Sequence, residues 1–338
     1  MLVEVLERVA SGAHLTPDEM AAAVASMLDP ACQPAQIAAL LTAIRVKGET
    51  VGEMVGAARA LRANAVRLPL RQRPDLCTAG TGGDGKGTIN LSTVAALVAA
   101  AAGVSVAKHG NRSVSSRCGS ADVLEALGIP TNLDAATAAQ TIDRTGFAFL
   151  FAPLYHPATK AVAGVRRSLG IRTLFNLLGP LTNPAEVRAQ LVGVYHPEKL
   201  QPMAQALAAL GVERALVVSA DIGLDEIAPQ GITRAMLVDR GTLTKMDLAP
   251  ANFGLPETPL SAIQGGDAHT NAAIVQDLLE GRDHPARPAA LMNAAAALFA
   301  AGRVTDLPSG VALATATIDS GRAARLLMDL AAPARAAA

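Results

Sequence analysis

The chain has 338 residues, and its 29 Lys and Arg balance 29 Asp and Glu, for a formal charge of zero. That length accommodates two domains, or a small lobe on a larger one, with a sizeable core. The charge balance excludes a global field that would recruit nucleic acid or an anionic membrane, so any anion site has to be built locally.

Cys32, Cys77 and Cys118 are scattered along the chain without C-x-x-C spacing, which argues against a disulfide framework or a zinc site and suits a reducing, cytoplasmic setting. Glu4, Glu7, Arg8, Asp18 and Glu19 speak against a signal peptide. The longest apolar run, 94–107, is broken by Gly103 and Ser105 before it could span a bilayer. The expectation is a soluble protein of the cytoplasm that binds neither nucleic acid nor membrane.

The first seventy residues predict helices throughout. Thr16-Pro17-Asp18-Glu19 and Thr50-Val51-Gly52-Glu53 read as capping boxes, the first with proline at the opening helical position. Between them, Ile37, Leu40, Leu41 and Ile44 recur at helical spacing in a stretch that stops at Gly48. The segment RLPLRQRP (67–74) then reads as a linker. Beyond it, apolar runs at 76–79, 104–107, 148–151, 191–195, 215–219 and 235–239 predict strands alternating with helices, several of which end at glycine: Gly103, Gly128, Gly170 and Gly211. The predicted fold class is α+α/β: a small N-terminal helical domain (1–70), and a larger α/β domain (75–328) with a mostly parallel central sheet flanked by helices. The alanine-rich tail, 329–338, is expected to fray. In such sheets ligands collect at the carboxyl ends of the strands, which selects the loops after 79, 107 and 219.

The first of these, GTGGDGKGTINLST (80–93), nearly fits two phosphate motifs. A dinucleotide fingerprint needs an acidic residue about 20 positions on, where this chain has SVAKHG. A Walker A loop needs Ser or Thr after Lys86, where Gly87 stands. The common physics remains: glycines let backbone N–H groups converge on an anion, and a helix predicted to begin after Thr93 adds its dipole. A flexible surface turn is the alternative.

Three further features favour an anion site. Lys108, His109 and Arg112 share a predicted loop with Asn111, Ser113, Ser115 and Ser116, which suits a phosphate and its ribose. Asp225 and Glu226 follow a predicted strand, where paired carboxylates can hold Mg2+ together with phosphate oxygens. Arg166 and Arg167 lie on a predicted helix, where only one of them can face a site and bind a carboxylate through its planar fork.

Together GTGGDGKGTINLST (80–93), KHGNRSVSSRCGSADVLEALG (108–128), FAPLYHPATK through GIRTLFNLLGPLTNP (151–184) and GLDEIAP (223–229) resemble the anthranilate phosphoribosyltransferase family, a likeness running from the N-terminal helices, including AIRVKGET, to about Leu327. The resemblance implies a nucleoside-phosphorylase-like fold and a homodimer joined through the helical lobe. It also implies phosphoribosyl transfer from phosphoribosyl pyrophosphate (PRPP) to anthranilate, with two Mg2+ ions per subunit. It assigns PRPP to Gly80, Gly83, Asp84, Thr88, Asn90, Ser92, Thr93, Lys108, Asn111, Arg112, Ser113, Ser115, Ser116 and Ser120, and metal to Ser92, Asp225 and Glu226. For anthranilate it assigns Gly80, Asn111 and Arg166, with His109, His156 and Pro180 nearby. Arg166, Lys108 and Asn111 carry catalysis through positioning and charge, with no general base. Cys118, Thr159 and Ile222 depart from the family's usual serine, methionine and aspartate.

Two other functions are compatible with the expected fold. A pyrimidine nucleoside phosphorylase would need different phosphate motifs from KHGNR followed by SVSS. An inactive nucleic-acid-binding paralogue would need a basic stripe that this charge balance does not offer.

Overall fold

Thr16 and Thr50 each open a helix by the reciprocal bonding their sequence predicts. The Thr16 hydroxyl accepts from Glu19 N at 3.3 Å while Glu19 Oε2 accepts from Thr16 N at 2.8 Å, and Thr50 and Glu53 repeat the pattern at 3.2 and 2.8 Å. Glu53 is fully buried and also accepts from Lys47 Nζ on both oxygens at 2.9 Å, so a paired charge sits inside the helical lobe. The computed structural model describes residues 2–113 and 117–336. The lobe begins with α1 (Leu2–Ala10), α2 (Pro17–Leu28), α3 (Pro34–Lys47) and α4 (Val51–Ala63).

The larger part runs β1 (Leu76–Gly80), α5 (Leu91–Ala101), β2 (Val106–Gly110), α6 (Ser120–Ala126), α7 (Ala135–Thr145), β3 (Phe147–Phe151), α8 (Ala152–Tyr155), α9 (Lys160–Leu169) and α10 (Phe175–Leu178). It continues through β4 (Ala189–Gly193), α11 (Leu200–Ala209), β5 (Arg214–Ala220), β6 (Thr233–Asp239), β7 (Thr242–Leu248), α12 (Ala268–Leu279), α13 (Arg287–Ala300), α14 (Leu307–Asp319) and α15 (Arg322–Ala336). The sheet order is β3-β2-β1-β4-β5-β6-β7. The first five of these strands are parallel, and β6 and β7 are antiparallel additions at one edge. Neighbouring residues sort to opposite faces with period two: Leu216 and Val218 join the core beneath α5 and α13, while Ala215 and Val217 join the core that continues into the helical lobe.

The structure corrects four expectations. The second strand begins at Val106 rather than 104 and runs to Gly110, which moves Lys108 and His109 from a loop into the sheet. The helix after the glycine loop starts at Leu91, so Ser92 and Thr93 lie in its first turn rather than before it. Strand β7 (TLTKMDL) has no counterpart among the predicted strands, because its exposed edge carries Thr and Lys instead of an apolar run. The chain beyond 328 does not fray at once: it stays helical to Ala336, with Leu330 and Ala331 buried four residues beyond Leu326 and Leu327.

The helical lobe also recruits later residues. Val162 of α9 and Phe175, Leu177 and Leu178 of α10 share one apolar core with Leu40, Leu41 and Ile44 of α3. Among the described residues no helix is long and apolar enough to cross a membrane.

Candidate active site

β1, β2, β4 and β5 run parallel, so their carboxyl ends share one rim. At the end of β1 the chain turns through Gly82, Gly83, Gly85 and Gly87, all left-handed with φ between 65° and 82°. A side chain at any of these would be strained, which is the physical reason for the glycine run. The loop is held from outside. Thr81 N donates to Gly193 O at 2.9 Å, Gly265 N to Gly87 O at 2.9 Å, and Ile89 N to Ile263 O at 2.9 Å, while Thr88 forms an antiparallel bridge with Gln264. Its far end is the N-terminus of α5, where Asn90 holds the cap position without a side-chain capping bond and helix donors and dipole favour negative charge. Thr93 Oγ1 is buried there without a partner.

Lys108 projects from β2 into this rim. It is 2% exposed and donates to Thr78 O at 2.7 Å, Thr78 Oγ1 at 3.2 Å and Ser92 Oγ at 3.3 Å. Burial lowers its pKa to about 8, partly offset by the charges of Cys77 and Glu226. The Ser92 amide in turn donates to Glu226 Oε1 at 2.9 Å, so the cation, the helix start and the acidic loop form one chain of contacts.

In the acidic loop after β5, Leu224 is buried and Asp225 and Glu226 are half-buried. Asp225 Oδ2 accepts from Gly82 N at 2.8 Å. Burial, then the charge of Asp84, pushes the Asp225 carboxyl up to about 7; burial, then Asp225, pushes Glu226 up to about 8. Lys108 only partly offsets this crowding of negative charge at Glu226. A Cβ at Gly80 would stand 2.7 Å from Asp225 Oδ2, and one at Gly193 would stand 1.5 Å from the Asp225 carbonyl. The loop can therefore nest only because two strands end in glycine.

On the β2 side, Asn111 O accepts from Ser120 Oγ at 3.3 Å, and Ser113 N donates to Asp122 Oδ2 at 3.0 Å. Asn90 Nδ2 donates to Cys118 O at 3.2 Å. Arg112, two residues past the end of β2, pairs with Asp122 at 3.0 Å and Glu125 at 2.6 Å. Ser115 and Ser116 lie outside the described residues.

The residues expected around an aromatic substrate form two groups. The His109 and His156 rings lie 5.2 Å apart, with His109 Nδ1 3.2 Å from Gly179 O and His156 Nε2 2.8 Å from Thr182 O; the buried Pro180 lies between those carbonyls in the chain. His109 Nε2 and His156 Nδ1 are buried without partners. Burial, then the neighbouring His156, depresses His109 to about 3, and burial depresses His156, so both rings are neutral. Arg166, in the last turn of α9, lies 5.4 Å over the Phe175 ring. Burial lowers its pKa, and among the described residues it has no carboxylate partner, whereas Arg167 is exposed. A desolvated guanidinium without an acid is a ready receptor for a carboxylate.

Several residues at the site escape sequence reasoning. Asn293 of α13 accepts from Ile227 N at 3.1 Å and donates to Ile227 O at 3.0 Å, clasping the peptide next to Glu226. Arg234 of β6 forks onto Asp221 at 3.0 and 3.1 Å, fixing the start of the same loop beside Ile222, which packs on the core. Asn271 Nδ2 donates to Asn90 Oδ1 at 3.0 Å. Arg172 and Tyr195 stack with the guanidinium 3.8 Å over the ring. Only Gly193, a glycine inside the apolar strand LVGVY, left a readable signal of close backbone approach.

A helical bundle joined to a sheet with a glycine loop, a buried lysine and half-buried carboxylates on one rim matches the glycosyl transferase class. The helical bundle domain of the glycosyl transferase family matches residues 3–65, and its a/b domain matches 73–324. Anthranilate phosphoribosyltransferase of Moorella thermoacetica is 49% identical over 330 residues, 98% of this chain and 97% of that protein. The crystal structure of the enzyme of that name from Thermus thermophilus superposes with a TM-score of 0.91 at 44% identity, covering 98% of this chain and 99% of that one. The Saccharomyces cerevisiae enzyme in complex with PRPP and Mg superposes with a TM-score of 0.90 at 28% identity, over 99% of this chain and 98% of that one. The chain belongs to the anthranilate phosphoribosyltransferases of the glycosyl transferase family.

Proposed function

We propose that the protein transfers the phosphoribosyl group of PRPP to the amine of anthranilate, releasing diphosphate and N-(5-phosphoribosyl)anthranilate, the second step of tryptophan biosynthesis from chorismate. The observation that carries this reading is the convergence of the glycine loop, Lys108 and the Asp225–Glu226 pair on one rim. In the reaction the bond from ribose C1 to diphosphate breaks with its electron pair leaving on oxygen, the nitrogen lone pair bonds to C1, and the nitrogen sheds a proton. An arylamine is neutral at pH 7, so no base is required before attack. Catalysis then consists of neutralising the leaving group and aiming the nucleophile.

The loop amides and the α5 N-terminus bind the diphosphate, with Gly83, Asp84, Thr88, Asn90, Ser92 and Thr93 at the contact. Lys108 supplies fixed positive charge; Asn111, Ser113 and Ser120 bind the phosphoribosyl end, and Arg112 joins them by exchanging its acidic partners for phosphate. Arg166 captures the anthranilate carboxylate, and the neutral His109 and His156 with Pro180 wall the ring. The raised pKa values of Asp225 and Glu226 fit hard divalent cations. Carboxylates of this kind would hold Mg2+ together with phosphate oxygens of the substrate. Two Mg2+ ions, held by Ser92, Asp225 and Glu226, would supply charge neutralisation of the departing diphosphate. Exposed Val3 on α1 and Val46 on α3, 51% and 83% accessible, support a homodimer through the helical lobe.

The deciding experiment follows anthranilate fluorescence with purified protein. Loss of signal should require both PRPP and Mg2+; an unchanged signal with both present overturns the reading.

A further inference from the structure

Arg172 has no role in the chemistry above. It occupies the turn between α9 and α10, in the part of the chain that packs on the helical lobe. Its guanidinium lies 3.8 Å over the Tyr195 ring and donates through Nη2 to the carbonyl of Gly83, in the middle of the glycine loop. Tyr195 is itself tied to that loop, its amide donating to Thr81 Oγ1 at 3.2 Å. Gly83 is left-handed at φ 82°, and a Cβ there would stand 2.5 Å from Arg172 Nη2, so a side chain would be strained and would displace the guanidinium.

The other end of the same turn carries Arg166. Gly170, left-handed at φ 62°, closes α9 by donating to Arg166 O at 3.2 Å, and Thr173 N donates to Asn176 Oδ1 at 2.9 Å where α10 begins. Arg166 lies over Phe175, the first residue of α10. One short, doubly capped turn therefore has one arginine on the glycine loop and another available to an aromatic carboxylate.

We propose that Arg172 is a positioning residue that couples the two halves of the site: filling the glycine loop with diphosphate fixes, through Gly83 and Arg172, where Arg166 stands. A carbonyl engaged by Arg172 cannot face an incoming anion, so the contact also keeps the loop's carbonyl dipoles out of the diphosphate's way. The planar guanidinium suits this task because it stacks on Tyr195 and donates in its own plane at once, which an ammonium cannot do. The inference rests on the assignment of diphosphate to the glycine loop and of the aromatic carboxylate to Arg166.

The test uses the fluorescence of anthranilate to measure its Kd with and without magnesium diphosphate, a pair that binds without reacting. The wild-type ratio of the two constants should be at least about fivefold, the low end of ordinary coupling between sites. Arg172→Met should bring the ratio near one, and Arg172→Lys should restore part of it. Tyr195→Leu, which removes the stacking platform, should lower it as well and serves if Arg172→Met does not fold. A merely structural role would weaken both constants together and leave the ratio intact; that result, or a wild-type ratio of one, overturns the coupling. Turnover of PRPP with anthranilate is measured beside it. Wild-type turnover with a ratio of one sinks the coupling alone, whereas absent turnover sinks the functional reading.

Discussion

In the function proposed above, substrate choice depends most directly on Arg166. Its burial without an acid partner is unfavourable until a carboxylate arrives, so Arg166→Ala should raise the KM for anthranilate and lower kcat/KM by about 10²-fold or more, with PRPP binding retained. Asn293 acts at one remove. Removing its side chain orphans the N–H and C=O of buried Ile227, at about 1–3 kcal/mol for each group left unsatisfied. Urea unfolding of Asn293→Ala should show that loss as a lower midpoint at unchanged slope.

His109 gives a pH signature. Its folded pKa of about 3 lies below the ordinary value of 6.5, so the stability it contributes is present above pH 6.5 and is lost as pH falls from there toward 3. Wild-type protein should lose stability through this group with a slope that approaches about 1.4 kcal/mol per pH unit below pH 6, and His109→Gln should show a correspondingly shallower decline when unfolding is compared at pH 7, 6 and 5.

Among the elements, the parallel strands do most to shape the site, because each contributes its last residues to one rim. The end of β4 is the least tolerant: an added methyl at Gly193 would collide with the Asp225 carbonyl at 1.5 Å. Gly193→Ala should displace the acidic loop and raise the Mg2+ concentration needed for half-maximal activity at least tenfold, read from a magnesium titration; an unchanged titration would contradict the packing described for this loop.

The helical elements are legible in detail. The capping boxes at Thr16 and Thr50 and the stop at Gly48 all form, because they depend on contacts within a few residues. Strand β2 runs three residues beyond its predicted end at 107 because Lys108 and His109 look like loop residues until the sheet supplies Thr78, Ser92 and Gly179 as partners. Strand β7 leaves no signal in the sequence because an edge strand facing solvent needs no apolar run.

For the whole molecule, the candidate site is drawn from the larger domain, part of which packs on the helical lobe. The glycine loop and acidic pair belong to the sheet, while Arg166 and Arg172 come from a segment that packs on the helical lobe. Ligand binding to such a site should stabilise the folded protein as a unit. PRPP with Mg2+ at about 100 times Kd should add about 2.7 kcal/mol to unfolding, visible as a rise in Tm, and Asp225→Asn should abolish most of that rise.

The motifs of this chain are enough to specify its family, its helical lobe, its glycine loop and its acid pair, since each is written in contiguous residues whose local chemistry is self-contained. Which side chains hold those motifs in place is settled only by folding. Asn293 meets Ile227 from 66 residues away, Arg172 meets Gly83 from 89, and Asn271 meets Asn90 from 181, and no local pattern encodes a partner at such a distance. The physical reason is that the sheet and its crossovers, not the neighbouring sequence, choose which buried polar groups share a hydrogen bond.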